Sequence, residues 1–579
     1  MYFLESMGTE MGEQLIAVLR CHVAGQHHAA QKTVQNLLEK NSDRVLVHGT
    51  LGQLFLEMNQ TEPGLDYMAK AVSAALIQRD ADALFSLGNI FLSFERLIEA
   101  KTSYRYALQI DPEHVNAMCN LASSLMKLGR LHDAEQLCRQ ALQLQPDHTE
   151  SHINLGLALK KMGKPTLALA CYQDALNCKP DCALAHYNRG VIFKELGQFA
   201  PAAACFEQAV SISPHFVEAL GNLGSVLGKQ GKLREAQNCY RRVLQLKPDC
   251  DSTLLNLGFA LLGDGQYAEG WEKFEHRWQG ASVKSQPPKS VLPQWKGQAT
   301  AKGDSILIFH EQGLGDMIQF SRYLRFLNQY FSGGVSMTVD RKLLPLFQRS
   351  FPACQFLDYV PADQHHWQWQ CPLLSLPLAF NGLINTVPQF PSYLSPDPNR
   401  VQYFERKITQ SGLPTPARKI GLVWKTAGAM ANAASRSLQF SQVASLFGLP
   451  DTAWFSLQKE PGPDQFQFKL HPELIDWSHE FSNFDDTAAL IANLDLVIAI
   501  DTSVAHLAAA LGKPVWLLNR YESEWRWMRN RMDSPWYPGL RIFTQTITGT
   551  WDDVIARVAK DLVCRAHTPE TVRRTPRFA

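Results

Sequence analysis

Apolar residues follow two different rhythms along this chain. From about residue 11 to about 280 they recur on a fixed beat, and beyond about 303 they gather into short runs. The runs are SILIFH, VSMTVD, CQFLDY and CPLLSLPL, then KIGLVW, AWFSLQ, LDLVIAI and PVWLLN, parted by helical or polar stretches. Strand signals alternating with helix signals predict parallel sheets with crossover helices. The Pro-rich SYLSPDPNR near 392–400 divides the runs into two groups, so two lobes with a cleft are expected. Ligands of such sheets sit beyond the carboxyl ends of the strands.

The beat of the first half is exact. Pro112, Pro146, Pro180, Pro214 and Pro248 lie 34 residues apart, as do Gly129, Gly163, Gly197, Gly231 and Gly265. Ala134, Ala168, Ala202 and Ala236 keep the same spacing, and Gly156, Gly190, Gly224 and Gly258 form another column. Such a period, with small residues at fixed places, a Gly turn mid-unit and Pro at the unit's end, is the tetratricopeptide pattern. Small residues let the two helices of a unit approach, the mid-unit Gly ends the first helix, and Pro begins the passage to the next. One unit cannot bury its own apolar face; a stack can. Upstream, Gly52, Gly64 and Ala71 match Gly88, Ala100 and Ala107 at a spacing of 36, and Gly25 and Ala30 suggest a degenerate unit before them. About eight units are expected. The last, GQYAEGWEKFEHRW, has Gly270 where Ala is expected and adds Trp271 and Trp278, which suits packing against whatever follows.

Asn120, Asn154, Asn188, Asn222 and Asn256 recur on the same period, each on the first helix of its unit. An Asn side chain offers a donor pair and an acceptor, as a bound peptide backbone requires. A ladder of them could hold an extended chain, or each could bond a neighbouring unit's backbone; the sequence leaves both open.

Composition narrows the function classes. A chain of 579 residues implies two or three domains. With 45% hydrophobic residues, 19% charged residues and a net charge of +1, no global field gathers nucleic acid or anionic membrane. The first residues, MYFLESMGTEMGEQ, carry neither a basic leader nor an apolar core, and no run nears the roughly 18 apolar residues a membrane span needs. A cytoplasmic protein without a membrane span or nucleic-acid partner is the expectation. The 12 cysteines are scattered, without a CxxC pair or zinc spacing, and read as reduced small residues; Cys178 and Cys182 flank a Lys-Pro-Asp turn. The expected organisation is a repeat array over 1–280, a linker over 281–302, a first lobe over 303–400, a second lobe over 401–565 and a tail over 566–579.

The strand ends carry the candidate chemistry. LDLVIAI runs into DTSVAHLAAALGKP, so Asp501 ends a strand, Thr502 and Ser503 open a helix, and His506 lies one turn in. Amides at a helix start bind phosphate and nearby hydroxyls add donors; the alternative is that Asp501 or Thr502 only caps the helix and His506 is an internal histidine. After SILIFH, the loop HEQGLGD brings Gly313, Gly315 and Asp316 to the next helix's first turn. Asp316 there is either a base at the cleft or an N-terminal cap. Arg436 in SRSLQF, Gln458 and Lys459 in SLQKE, and Lys425 follow other strands. No Asp-x-Asp stands at a strand end; Asp80-Ala81-Asp82 and Asp249-Cys250-Asp251 lie within the repeats. A site without a metal must use cations and amides. EWRWMRNRMDSPWYP holds Trp525, Trp527, Trp536 and Tyr537 among three arginines and reads as packing against the repeats, with base stacking or acceptor contact as the other option.

DTSVAHLAAALGKP resembles the nucleotide-sugar segment of the lipopolysaccharide heptosyltransferase family, and EQGLGDMIQFSRYL resembles that family's first-lobe Gly-x-Gly-Asp turn. The two stand about 185 residues apart and in the family's order. PQWKGQ, EQGLGD, FSLQK, IDTSVAHLAAALGKPVW and WRWMRNRMDSPWYP resemble bacterial proteins that join tetratricopeptide units to a glycosyltransferase domain, flagellin glycosyltransferases among them. The repeats resemble those of the O-linked N-acetylglucosamine transferase family, whose inner Asn ladder holds the acceptor polypeptide. These resemblances imply an α-helical tetratricopeptide superhelix followed by a two-lobe Rossmann-type unit of GT-B kind. They imply a metal-independent transferase without a cofactor, moving a sugar from a nucleotide-sugar to a protein held by the repeats. Asp316 would be the base and Arg436 would take the place of a phosphate-binding Lys, with Gln458, Lys459, Asp501, Thr502, Ser503 and His506 on the donor. Two departures stand out. The first lobe, of about 95 residues, is short, which leaves acceptor contacts to the repeats, and the loop KTAGAMANAASRS lacks a carboxylate-rich run. The alternatives are a non-catalytic repeat scaffold with a relic lobe, and a transferase for saccharide or lipid acceptors.

Overall fold

The structure, a computed structural model, describes residues 9–24, 26–40, 44–279, 290–380, 387–413, 418–426, 433–449, 451–459 and 470–566. Gly25, residues 281–289 of the expected linker, the stretch 427–432 of the Ala-rich loop and the tail beyond Ala566 therefore lie outside the described residues. The chain divides into two compact units, Met1–Leu223 and Gly224–Ala579, with the boundary inside helix Val217–Lys229.

The first unit is built of paired helices, such as Ala81–Ser93 with Leu97–Ile110 and Thr149–Lys161 with Pro165–Cys178. The small-residue column works by steric fit. A Cβ on Gly88 would lie 2.5 Å from the ring of Tyr104, one on Gly156 2.5 Å from Tyr172, and one on Gly190 2.7 Å from Phe206. Each glycine on a first helix thus receives a buried aromatic from the second helix of the same unit. The turn glycines act through backbone instead: Gly163 and Gly197 have φ of +74° and +72° with open space around them. Glu95 adopts φ +59° at the corresponding turn of an earlier unit, where a Cβ is disfavoured.

The second unit continues the pairing with helices Leu233–Leu246, Asp251–Gly263 and Tyr267–Phe274, then changes to strands. Strands β1 (Ser305–Phe309), β2 (Gly334–Thr338), β3 (Cys354–Leu357) and β4 (Trp369–Pro372) form a parallel sheet in the order β3-β2-β1-β4. Strands β5 (Arg418–Val423), β6 (Thr452–Ser456), β7 (Leu474–Asp476), β8 (Leu496–Ile500), β9 (Val515–Asn519) and β10 (Leu540–Thr544) form a second, in the order β10-β9-β8-β5-β6-β7. All its pairs are parallel. Strand order reverses between β5 and β8, and such a reversal opens a crevice beyond the strand ends. β1, β8 and β9 are buried along their whole length, which is why they read as continuous apolar runs. The helical repeats followed by Rossmann-like sheets are as the sequence implies.

Three details differ. In CPLLSLPL only the first two residues belong to a strand; Leu373–Ser375 and Leu376–Ala379 are helical turns with most side chains buried, and a short run buried on all sides has no periodicity to separate helix from strand. The strands Leu474–Asp476 and Leu540–Thr544 escaped the reading because neither stands out as an apolar run. Part of the stretch read as a connector is ordered: Trp295 is buried and its N–H donates to the Gln370 carbonyl at 2.8 Å, beside β4.

Two buried arginines hold the second unit together. Arg277, just past the last repeat helix, donates to both Glu311 oxygens at 2.8 and 2.9 Å, to Glu275 at 2.6 Å and to Ser375 Oγ at 2.7 Å. Burial pushes the Glu311 carboxyl up, against the pull of Arg277. Arg322 donates to the carbonyls of Gln319, Pro388 and Trp536 and to the Tyr393 hydroxyl. The first fixes the loop before Asp316 against the repeats; the second joins the smaller sheet's helices to the segment after β9. Trp271 adds an aromatic contact, edge-on to Trp525 at 5.4 Å and to Phe320 at 5.9 Å.

Gly156→Ala should lower stability by about 1–3 kcal/mol because the buried Tyr172 ring must move, whereas Glu95→Gly should raise it by about 1 kcal/mol by removing a left-handed Cβ. Chemical denaturation of the two variants should show midpoints displaced in opposite directions; equal displacements would contradict this packing account.

Candidate active site

The site is assembled from three strand ends. β1 is followed by helix Leu314–Phe320, whose first turn holds Asp316. β8 is followed by Asp501 and helix Ser503–Ala510, which carries His506. β9 is followed by Arg520, Glu524 and Arg526. The two helices meet where side-chain bulk is least: a Cβ on Gly315 would lie 3.0 Å from His506 Cδ2 and 3.6 Å from Ser503 Cα. Asp316 and His506 therefore flank one junction between the two sheets' strand ends.

Alternating charges cross this junction. Asp316 accepts the Gly313 N–H through Oδ2 at 3.1 Å and Arg526 Nη2 through Oδ1. Arg526 also donates to Gln319 Oε1 and Glu524 Oε2, each at 2.9 Å. The other Glu524 oxygen accepts from Arg436, which also reaches Asp501 Oδ2 at 3.2 Å. Arg520 stands 3.7 Å from Glu524. The Nε of Arg436 is buried without a hydrogen-bond partner. His506 is buried; its Nδ1 lies 2.9 Å from the Tyr537 hydroxyl and its Nε2 4.0 Å from Asp501, and it stacks on Trp527. Burial pushes the imidazole down to about 4, opposed by Asp501 and reinforced by Arg526, so His506 is neutral near pH 7.

The other sequence candidates divide. Thr502 precedes the helix without capping it, its hydroxyl donating to the Ile500 carbonyl at 3.3 Å, and Ser503 opens the helix beside Gly315. Gln458 is buried beyond β6 and accepts the Lys425 N–H at 3.1 Å, across from β5; Lys459 beside it is exposed. Of the Asn column, Asn120 donates to Asn89 at 2.7 Å, Asn154 to the Cys119 carbonyl at 3.1 Å and Asn222 to the Tyr187 hydroxyl at 3.3 Å. These three bond the preceding unit. Asn188 is buried with its Nδ2 unpartnered, and Asn256 is exposed. Asn256 lines a cavity of about 480 Å³ with Lys229, Phe259, Gln312, Trp525 and Arg526, so it opens beside the Asp316 loop.

The reading of Trp525, Trp527, Trp536 and Tyr537 as packing holds for two of them: Trp525 and Trp536 pack on Trp271, at 5.4 and 6.4 Å, while Trp527 and Tyr537 surround His506. Arg520, Glu524 and Arg526 were missed as site residues. Extending the strand-end rule to PVWLLN points to Arg520, directly after the strand; Glu524 and Arg526, further on, carry no such signal. Among the described residues no group of three His, Cys, Asp or Glu is gathered as a metal would require, and no helix is long and apolar enough to cross a membrane.

Comparison with known families agrees with this layout. The tetratricopeptide repeat family matches residues 81–114, 113–181, 183–216 and 217–250, and glycosyltransferase family 9 (heptosyltransferase) matches residues 482–546. The latter stretch holds Asp501, His506, Glu524 and Arg526. The chain thus joins tetratricopeptide repeats to a glycosyltransferase family 9 segment. It is similar to protein FlbA of Caulobacter vibrioides, 29% identical over 326 residues that make up 52% of each chain; it spans about half the length of that relative. Among solved structures, the tetratricopeptide protein TTC0263 of Thermus thermophilus is 24% identical, covering 31% of this chain and 99% of that one at a TM-score of 0.29. PilF of Pseudomonas aeruginosa is 22% identical, covering 35% and 91% at 0.32.

Because the His506 value lies below the ordinary 6.5, protonation favours the unfolded chain. Its contribution is intact above about pH 6.5 and is lost as pH falls toward about 4, by up to roughly 3 kcal/mol. His506→Gln should flatten this part of the pH dependence in urea unfolding between pH 7 and pH 4.5; an unchanged profile would contradict the assignment.

Proposed function

We propose that this chain is a glycosyltransferase of GT-B kind that moves a sugar from a nucleotide-sugar to a hydroxyl group of a protein presented by the repeats. The observation that carries the proposal is the meeting of Asp316 with the Ser503–Ala510 helix start at Gly315, within reach of the family 9 segment. The first amides of that helix have no acceptor within it, so they suit a diphosphate, and Arg436 beside Asp501 adds fixed positive charge. The crevice between β5 and β8 receives the nucleotide. Asp316 takes the proton from the attacking hydroxyl as the sugar–phosphate bond breaks. A lone carboxylate is a weak base for an alcohol, so positioning and stabilisation of the departing phosphate supply most of the rate. In this reading arginines and amides carry the leaving group's charge in place of a metal. Neutral His506, held by Tyr537, positions the helix start rather than adding charge.

A protein acceptor is supported by the repeats and by the cavity shared between Asn256 and Phe259 of the repeat helices and Gln312 of the Asp316 loop. Flagellin is one acceptor to test. The smaller sheet's own crevice, beyond β1 and β4, is filled by the Arg277–Glu311 pair and Ser375, so an acceptor approaches from the repeats.

Asp316→Asn should reduce transfer at least about a thousandfold while calorimetry shows nucleoside diphosphate binding retained. Intact-mass analysis of co-expressed acceptor proteins reads the transfer. Unchanged turnover would remove Asp316 from the mechanism, and a chain that binds no nucleotide from a full panel would be a relic scaffold.

A further inference from the structure

Resting on the reading above, we infer that Glu524 stands in the donor's diphosphate place, and that Arg520 and Arg526 join Arg436 as diphosphate ligands once it is displaced. Three arginines converge on this one carboxylate. Arg436 bonds Oε1, Arg520 lies 3.7 Å from the same oxygen, and Arg526 donates to Oε2 at 2.9 Å. A carboxylate held between guanidinium groups has the charge and forked geometry of a phosphate in the same place. Burial, and after it the neighbouring Arg436, hold the Arg520 guanidinium below its usual range, with Glu522 and Asp501 opposing. The buried Arg436 Nε has no hydrogen-bond partner among the described residues, so the set retains an unused donor that a larger anion with more oxygens can satisfy. Glu524, Arg520 and Arg526 also border the 480 Å³ cavity, which gives the displaced Glu524 side chain room to turn.

The arrangement couples donor to base. Arg526 bridges Glu524 and Asp316, so it occupies the Oδ1 oxygen while the Gly313 N–H occupies Oδ2. A diphosphate drawing Arg526 toward itself releases Oδ1 to accept the acceptor's hydroxyl proton. The base is then exposed only when a donor is present. Arg526 is in this account a diphosphate ligand and a positioning residue for Asp316.

The test is calorimetric titration of the full-length chain with nucleoside diphosphates and with inorganic pyrophosphate, comparing wild type, Glu524→Gln and Arg520→Gln. Removing the competing charge should tighten diphosphate binding by Glu524→Gln about tenfold, and Arg520→Gln should weaken it about tenfold; thermal melts of the three confirm equal folding, and Glu524→Ala, which also removes the charge, replaces Glu524→Gln should the latter melt early. If wild type binds a nucleoside diphosphate but Glu524→Gln binds it equally or more weakly, the displacement is overturned while the glycosyltransferase reading stands. If no form binds any diphosphate, the reading beneath it fails.

Discussion

Opposite charges placed in sequence, Asp316 to Arg526 to Glu524 to Arg436 to Asp501, connect the loop after β1 with the loops after β5, β8 and β9. Its five members come from four separate segments, Glu524 and Arg526 sharing the one after β9, so the row exists only when both sheets and that segment are in place. Side chains in it are largely buried; those of Asp316 and Arg526 are 16% and 9% exposed. Removing one partner leaves the other unpaired in a poorly solvated place, which costs more than the pair's net stabilisation. The same low solvation makes each arginine a strong anion ligand if a phosphate replaces a carboxylate.

The repeats are part of this machinery rather than an appendage to it. Arg277 follows the last repeat helix and fixes Glu311, five residues before Asp316, and Trp271 of that helix sits against Phe320 and Trp525, next to the site on either side. The short first lobe makes sense in this setting. Its four strands carry the loop that Arg277, just past the last repeat helix, holds through Glu311. Asn256 and Gln312 then line one cavity.

Much of the fold was legible because period and sterics coincide. The Gly156 column is a requirement of Tyr172 and its equivalents, and Gly163 of a left-handed turn, so both columns repeat wherever the helix pair repeats. Buried parallel strands announced themselves as apolar runs; β7 and β10 did not. The site was half legible. Asp316, Asp501 and His506 follow strands in recognisable turns, and the structure brings them together. Arg526 and Glu524 lie in a Trp-rich segment whose aromatic density pointed to packing, and nothing local distinguishes an arginine that packs from one that clamps a carboxylate about 200 residues earlier. The Asn column shows the reverse limit: one spacing serves several uses, since Asn120 and Asn154 bond the preceding unit and Asn256 faces the cavity.

The most direct test of the account is a crystal structure of the chain with a nucleoside diphosphate bound. The account predicts the diphosphate on Arg436 and the Ser503 and Val504 amides, with Glu524 turned away and Arg526 no longer on Asp316. A diphosphate bound elsewhere, with the Asp316–Arg526 and Glu524–Arg436 pairs both intact, would contradict it.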